Sequence, residues 1–186
     1  RLFALPAFRL VILMGLFSFA VAHGFSNWLP KLLEHGGLSP AVAGMAATLP
    51  GWVSIPAIVV IPRAVPSHRR HGALLILTSA TLVLFLLLTV AGGPLRYVCL
   101  TLFGVSQSPL LPLLLLILMD MPEIGPRAMG AAGGVFFCVA EIGGVTGPLV
   151  MGALIDIFGS FDAGLVLLAG LTLTIGLLAL RLRKFF

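Results

Sequence analysis

Residues 140–155 read AEIGGVTGPLVMGALI, and the reading of this stretch decides the rest of the chain. It is apolar enough to lie in a bilayer. Yet it carries a carboxylate, Glu141, and five residues that loosen a helix: Gly143, Gly144, Gly147, Pro148 and Gly152. At about 100° per residue, Gly134, Glu141, Pro148 and Gly152 share one face, and Gly143 and Gly147 lie on the opposite one. The first face offers an ionisable group. The second offers a small pair, one turn apart, against which another helix can approach closely. A helix that only anchored a protein would need neither.

The composition sets the same solvent for the whole chain. Of 186 residues, 60% are hydrophobic and 9% charged, with a mean hydropathy of +1.19. A soluble domain has about 25% charged residues, so this chain belongs in lipid. Its net charge of +5 is to be judged by where the cations fall. Cys99 and Cys138 both sit inside apolar runs, where packing is expected rather than a disulfide or a metal. No metal and no cofactor are expected. The chain opens RLFALPAFRL, without an initiator Met or a cleavable signal pattern, and a fragment is expected.

A spanning helix needs about 20 residues. Six apolar stretches reach that length, at 8–29, 40–61, 72–91, 95–119, 128–155 and 161–180. An even number of spans puts both ends on one side. That side would hold Arg1, Arg9, Arg63, Arg69, Arg70, Arg127, Arg181, Arg183 and Lys184; the other keeps Lys31 and Arg96. Cations concentrate in cytoplasmic loops, so both termini are expected to be cytoplasmic in an integral plasma membrane protein, the inner membrane of a bacterium. The positive charge is then a topology signal with some attraction to anionic lipid, and no nucleic-acid partner is implied.

An internal repeat supports a particular architecture. Gly51-Trp-Val-Ser54-Ile-Pro56 matches Gly143-Gly-Val-Thr146-Gly-Pro148, and Pro40-Ala-Val-Ala-Gly44 resembles Pro126-Arg-Ala-Met-Gly130. The offset is close to half the chain, so spans one to three correspond to spans four to six. Three spans repeated give opposite orientations in the two copies, as in secondary transporters. The expected fold is therefore all-α, a single domain of six transmembrane helices arranged as two inverted three-helix repeats.

The polar residues inside the spans are few. In the first, Gly15, Ser18, Ala22, His23, Ser26 and Asn27 share a broad face. It is either a cavity wall where His23 and Asn27 contact a polar solute, or a helix end satisfied by water and carbonyls. In the fourth, Ser106 and Gln107 precede Pro109 and Pro112. An unpaired amide in hydrocarbon costs several kcal/mol, so Gln107 must face protein or water. The two prolines remove backbone donors and bend or open the helix, freeing carbonyls for a ligand or making a packing kink. Glu141 is the sharpest residue. An ionised carboxylate at that depth is costly, so a proton-coupling site or a contact to a cationic solute is expected, the alternative being a neutral acid bonded to a neighbouring helix. The loop with Arg63, Arg69 and Arg70 is either a cytoplasmic anchor or part of a gate.

Six spans, a basic loop between the second and third, and a Gly/Pro-rich fifth span together resemble half of a major facilitator superfamily transporter. That family's loop signature runs Gly-x-x-x-Asp-Arg-x-Gly-Arg-Arg. Arg63, Arg69 and Arg70 match its basic positions, while Pro62 stands where the Asp belongs and the loop glycine is missing. Gly143-x-x-x-Gly147-Pro148-x-x-x-Gly152 resembles the family's Gly-x-x-x-Gly-Pro helix signature. The degraded loop and the short basic tail resemble the C-terminal half. The resemblance implies that the first and fourth spans line a central cavity, that His23, Asn27, Ser106 and Gln107 lie on the substrate pathway, and that Gly143, Gly147, Pro148 and Gly152 serve packing and gating with the three arginines. It also implies two partners beyond lipid: a small solute, with a look of the anion and organic-acid branches, and the missing six-helix half.

Three other classes are weaker. An intramembrane serine protease needs a Gly-x-Ser-Gly setting and a histidine from another span. Gly104-Val-Ser106-Gln107 lacks the second glycine, and His35, His68 and His71 lie in loops. A metallopeptidase would need His-Glu-x-x-His, and a channel a filter segment. No enzyme is expected. A membrane scaffold that transports nothing remains the alternative, though it gains nothing from a buried acid.

Overall fold

The computed structural model describes residues 2–185, Pro126 by its backbone alone. Arg1, one of the cations counted above, lies outside the described residues. Eight α-helices make up six membrane-length rods: α1 (Pro6–His35), α2 (Pro40–Ala46), α3 (Leu49–Ala64), α4 (Arg70–Leu88), α5 (Gly93–Gln107), α6 (Leu110–Met119), α7 (Gly125–Phe158) and α8 (Asp162–Leu182). The second rod is α2 with α3 and the fourth is α5 with α6. No strand occurs among the described residues. Prolines stand in the first turn of α1, α2, α3, α5 and α7, where a missing N–H leaves no bond unmade.

The two broken rods have a local cause. Pro50 cannot donate to the carbonyl four residues before it, and the helix parts just ahead of it, at Ala47–Thr48. Pro109 acts likewise, and α5 gives way to α6 at Ser108–Pro109. The helix carrying Glu141 runs unbroken through Pro148 and ends where Gly159 takes a left-handed φ of 66°, a conformation open to glycine at little cost.

The helices run beyond the apolar stretches. The first rod starts at Pro6 rather than 8 and continues to His35. Its last turns are polar helix stapled by a 2.7 Å Lys31–Glu34 pair, which hydropathy cannot register. The third begins at Arg70 and stops at Leu88, before the Gly92–Gly93 turn.

Packing follows a two-fold pattern. The first rod lies on the fifth and sixth, the fourth lies on the second and third, and the third and sixth lie on each other. Exchanging spans one to three for four to six turns the first rod's contacts into the fourth's and leaves the contact of the third with the sixth in place, as two repeats related by a two-fold axis require. Helices meet at glycines. A Cβ on Gly104 would stand 2.2 Å from the Pro50 carbonyl oxygen, so α5 rides directly on the α3 backbone. Phe25, Phe85 and Phe103 cluster in the core with centroids 4.3 to 5.3 Å apart, while Trp52, Ile55, Ile76, Val145 and Leu149 cover the outside. That is an inside packed like protein and an outside suited to lipid.

Candidate functional site

A cavity of about 260 Å³ opens between α1, α3 and α5. From α1 it is lined by Ser18, Phe19, Ala22, His23 and Ser26, spaced at three and four residues so that one helical face supplies them all. Pro50, Gly51 and Ser54 come from α3, and Gln107 and Ser108 from the break between α5 and α6. The proline break therefore sits in the cavity wall.

Gln107 is 6% exposed, and its Nε2 donates to the Ser18 carbonyl oxygen at 3.2 Å. That bond settles which way the amide points, because a carbonyl accepts only from the NH2 group. Oε1 is left in the wall without a donor, and Ser18 Oγ beside it also has no partner. Each such orphan costs about 1–3 kcal/mol, and native interiors seldom carry them without a use.

Beside the cavity runs a polar flank. His23, Ser26 and Asn27 of α1 and Glu141 of α7 are all exposed. The Phe19 ring stacks on His23, with centroids 5.3 Å apart and planes 23° apart. Gly144 holds the two ionisable groups together, for a Cβ there would lie 3.1 Å from His23 Nδ1 and 3.2 Å from Glu141 Oε2. No direct hydrogen bond or ion pair joins them among the described residues. A side chain on Gly144 would press on both groups, so the glycine leaves them room beside each other.

The other residues expected to matter fall elsewhere. Asn27 is on the polar flank but does not line the cavity. Ser106 does not line it either. It is buried, accepts a 2.9 Å hydrogen bond from the Thr81 hydroxyl of α4 and donates to the Phe103 carbonyl, so it clamps α5 to α4. Ser106→Ala is expected to cost about 1 kcal/mol of stability, read as a lowered Tm with solute binding unchanged. Gly15 turns from the cavity to meet the Phe136 ring. Gly143 and Gly147 lie against the α1 backbone at Leu16 and Ala20, and Gly152 receives the edge of Trp28. Trp28 Nε1 donates to the Pro148 carbonyl at 2.9 Å. Arg63 and Arg69 are exposed, whereas Arg70 pairs with Asp120 and donates to the Leu116 carbonyl at 3.2 Å, joining α4 to the end of α6. Ser54, Ser108 and Gly144 were not singled out from sequence as site residues. Ser54 carried a faint signal in the repeat, where it aligns with Thr146.

Known proteins carry the same plan. Two proteins of Agrobacterium vitis, each named "Putative tartrate transporter", are 28% and 27% identical to the chain over 183 residues, or 94% of it. The chain is homologous to transporters. It spans about two fifths of those relatives, 39% and 41% of their lengths. The POT family transporter PepTSo, known from an in meso crystal structure, superposes on 96% of the chain and 37% of its own with a TM-score of 0.74 at 15% identity. No model of a known protein family matches. The transporter homologue is thus an integral membrane protein with the fold of part of a longer transporter, in agreement with the resemblance drawn from its motifs, and relatives named as transporters point away from an enzyme.

Proposed function

We propose that this chain is one half of a secondary active transporter that moves a small organic anion by alternating access. The solute would bind near the midplane between this bundle and a second six-helix half. One observation carries the reading: His23, Ser26, Asn27 and Glu141 are exposed on one flank of a cavity whose wall includes Ser18 and Gln107, each with a buried, orphaned oxygen. Polar and ionisable groups at membrane depth do not face lipid, so this flank faces water or another protein. The relatives' name supplies the solute class, with tartrate, a dihydroxy diacid, as the first to try.

In this reading Gln107 Oε1 waits for a solute hydroxyl, the donor that a carboxylate cannot supply. Ser18 and Gln107 sit behind the cavity surface and would meet the solute when α1 and α5 part during rocking of the halves. Glu141 carries the coupling proton, with His23 on the other side of Gly144. Arg63, Arg69 and Arg70 would hold the gate at the end of the bundle where both termini lie, read as the cytoplasmic face of the plasma membrane.

The test uses the full-length natural chain in proteoliposomes, with labelled tartrate and, as its counterpart without hydroxyls, succinate. Tartrate is expected to enter, and faster than succinate. Gln107→Leu is expected to lower tartrate uptake on the order of fivefold to tenfold, the worth of a hydrogen bond, while leaving the slower succinate uptake within twofold. Failure to take up either acid under any imposed gradient would overturn the proposal.

A further inference from the structure

At the end of the bundle that carries both termini lies a second cavity, of about 1040 Å³, remote from the first. Its walls come from the turn before α4 and the first turns of that helix, with Asp120 from beyond α6 and Arg183 from beyond α8. We propose that this cavity binds a phosphate-bearing anionic ligand, supplied by the bilayer as the headgroup of an anionic phospholipid.

The charges are the first support. Arg69 and Arg183 line the cavity from segments far apart in sequence, both exposed, and neither has an ion-pair partner among the described residues. His68 and His71 stand in the same wall. The one carboxylate there, Asp120, is paired with Arg70, which lies outside the cavity lining. Its charge is answered by Arg70, and the cavity's own arginines, Arg69 and Arg183, make no ion pair among the described residues. No side chain caps the start of α4, and the positive end of the helix dipole adds to the potential there. A concavity with the two guanidiniums of Arg69 and Arg183, the His68 imidazole and an acid already paired suits a phosphate, whose oxygens accept the paired bonds that arginine offers.

The second support is what adjoins the charges. Leu75 and Ile76 line the same cavity, about 10 Å along α4 from Arg69 at 1.5 Å per residue. Ile76 is 70% exposed. Arginines at the membrane surface with an open apolar wall leading into hydrocarbon match a headgroup with its acyl chains. A soluble phosphate would use only the upper part. The site shares Arg69 with the proposed gate, but none of its residues lines the first cavity, and lipid binding is read without any transport.

The experiment titrates the full-length natural chain, in a neutral detergent, with phosphatidylglycerol or phosphatidylcholine, following binding by native mass spectrometry and by Tm. Phosphatidylglycerol is expected to bind and to raise Tm, and phosphatidylcholine to do neither. Arg69→Gln and Arg183→Gln should each weaken phosphatidylglycerol about fivefold, the worth of one cation at a membrane surface. Arg181→Gln, with the same loss of charge but outside the cavity, should change it less than twofold. Raising the salt on the unaltered protein should weaken binding too, which needs no variant to fold. Inorganic phosphate that displaces the lipid at millimolar concentration supports the same site with free phosphate as a second occupant. Equal binding of both lipids, or an Arg181→Gln loss as large as that of Arg69→Gln, overturns the proposal.

Discussion

Gly143→Ala is expected to keep the bundle from closing. A Cβ there would stand 1.9 Å from the Leu16 carbonyl oxygen and 2.8 Å from its carbon, and one on Gly147 would stand 2.3 Å from the Ala20 oxygen. These are backbone atoms of α1 and cannot swing aside as a side-chain tip can. The helices must part along their most extensive interface, and the Trp28–Pro148 and Gln107–Ser18 bonds that α1 makes are strained with it. Overpacking costs about 1–3 kcal/mol at a compliant site, so Gly143→Ala is expected at or above the top of that range. Gly143→Ala with Gly147→Ala should exceed it, a large part of a total stability of about 5–15 kcal/mol. Gly130→Ala, on the same helix with nothing near its Cβ position, should be neutral or gain up to about 1 kcal/mol from helix propensity. Size-exclusion profiles and Tm values separate the cases. A Gly143→Ala protein that melts with its parent would mean α1 and α7 do not meet this way.

Glu141→Gln is the second large effect, and it leaves the fold alone. Glu141 is exposed and makes no hydrogen bond or ion pair among the described residues, so the amide removes no packing and orphans no neighbour. What it removes is a proton site. On α1 the nearest charged group to His23 on either side is Lys31, eight residues on, or about 12 Å. On α7, Arg127 and Asp156 lie about 20 Å from Glu141. On α8, Asp162 and Arg181 stand at the ends, and α6 has no ionisable side chain. Cys138, one turn away on α7, is the other titratable neighbour. His23 and Glu141 are thus the ionisable groups nearest this flank, and if the proposed coupling role holds, no proton is carried with the solute once the carboxyl is gone. Uptake driven by a pH gradient should fall to its level without the gradient, while exchange of labelled for unlabelled solute continues. Gly144→Ala, whose methyl would press on both groups, should slow pH-driven uptake in the same direction. pH-dependent uptake unchanged in Glu141→Gln would sink the coupling role.

How much of this the sequence could tell differs from residue to residue. The exposed face of α1 was legible because three- and four-residue spacing is set by the helix itself. Ser18, His23 and Ser26 therefore appear together in the cavity wall. Which edge of that face meets the cavity was not legible. Asn27 and Gly15 share the spacing, yet one stays on the open flank and the other meets Phe136. Ser106 and Gln107 are neighbours in sequence and point about 100° apart; one faces α4 and the other the cavity, and nothing local says which. Gly144 was passed over beside Gly143 and Gly147 because all three look alike in sequence. Two make room for a helix backbone, and one makes room for two side chains.

The sequence by itself determined the solvent, the six spans, the inverted repeat and the break at Pro109, because hydropathy, period and the missing proline N–H are properties of a chain and its nearest neighbours; the break ahead of Pro50, in a span read as continuous, came from the structure. The tertiary structure alone decided the pairing of Arg70 with Asp120, the turning of Gln107 Oε1 into the wall and the placing of His23 and Glu141 on either side of Gly144. Those residues lie 50, 89 and 118 positions from their partners, Ser18 being the partner of Gln107. Contacts across such separations depend on how the rods rotate against one another, and that rotation is set by the sum of many small packing contacts rather than by any motif.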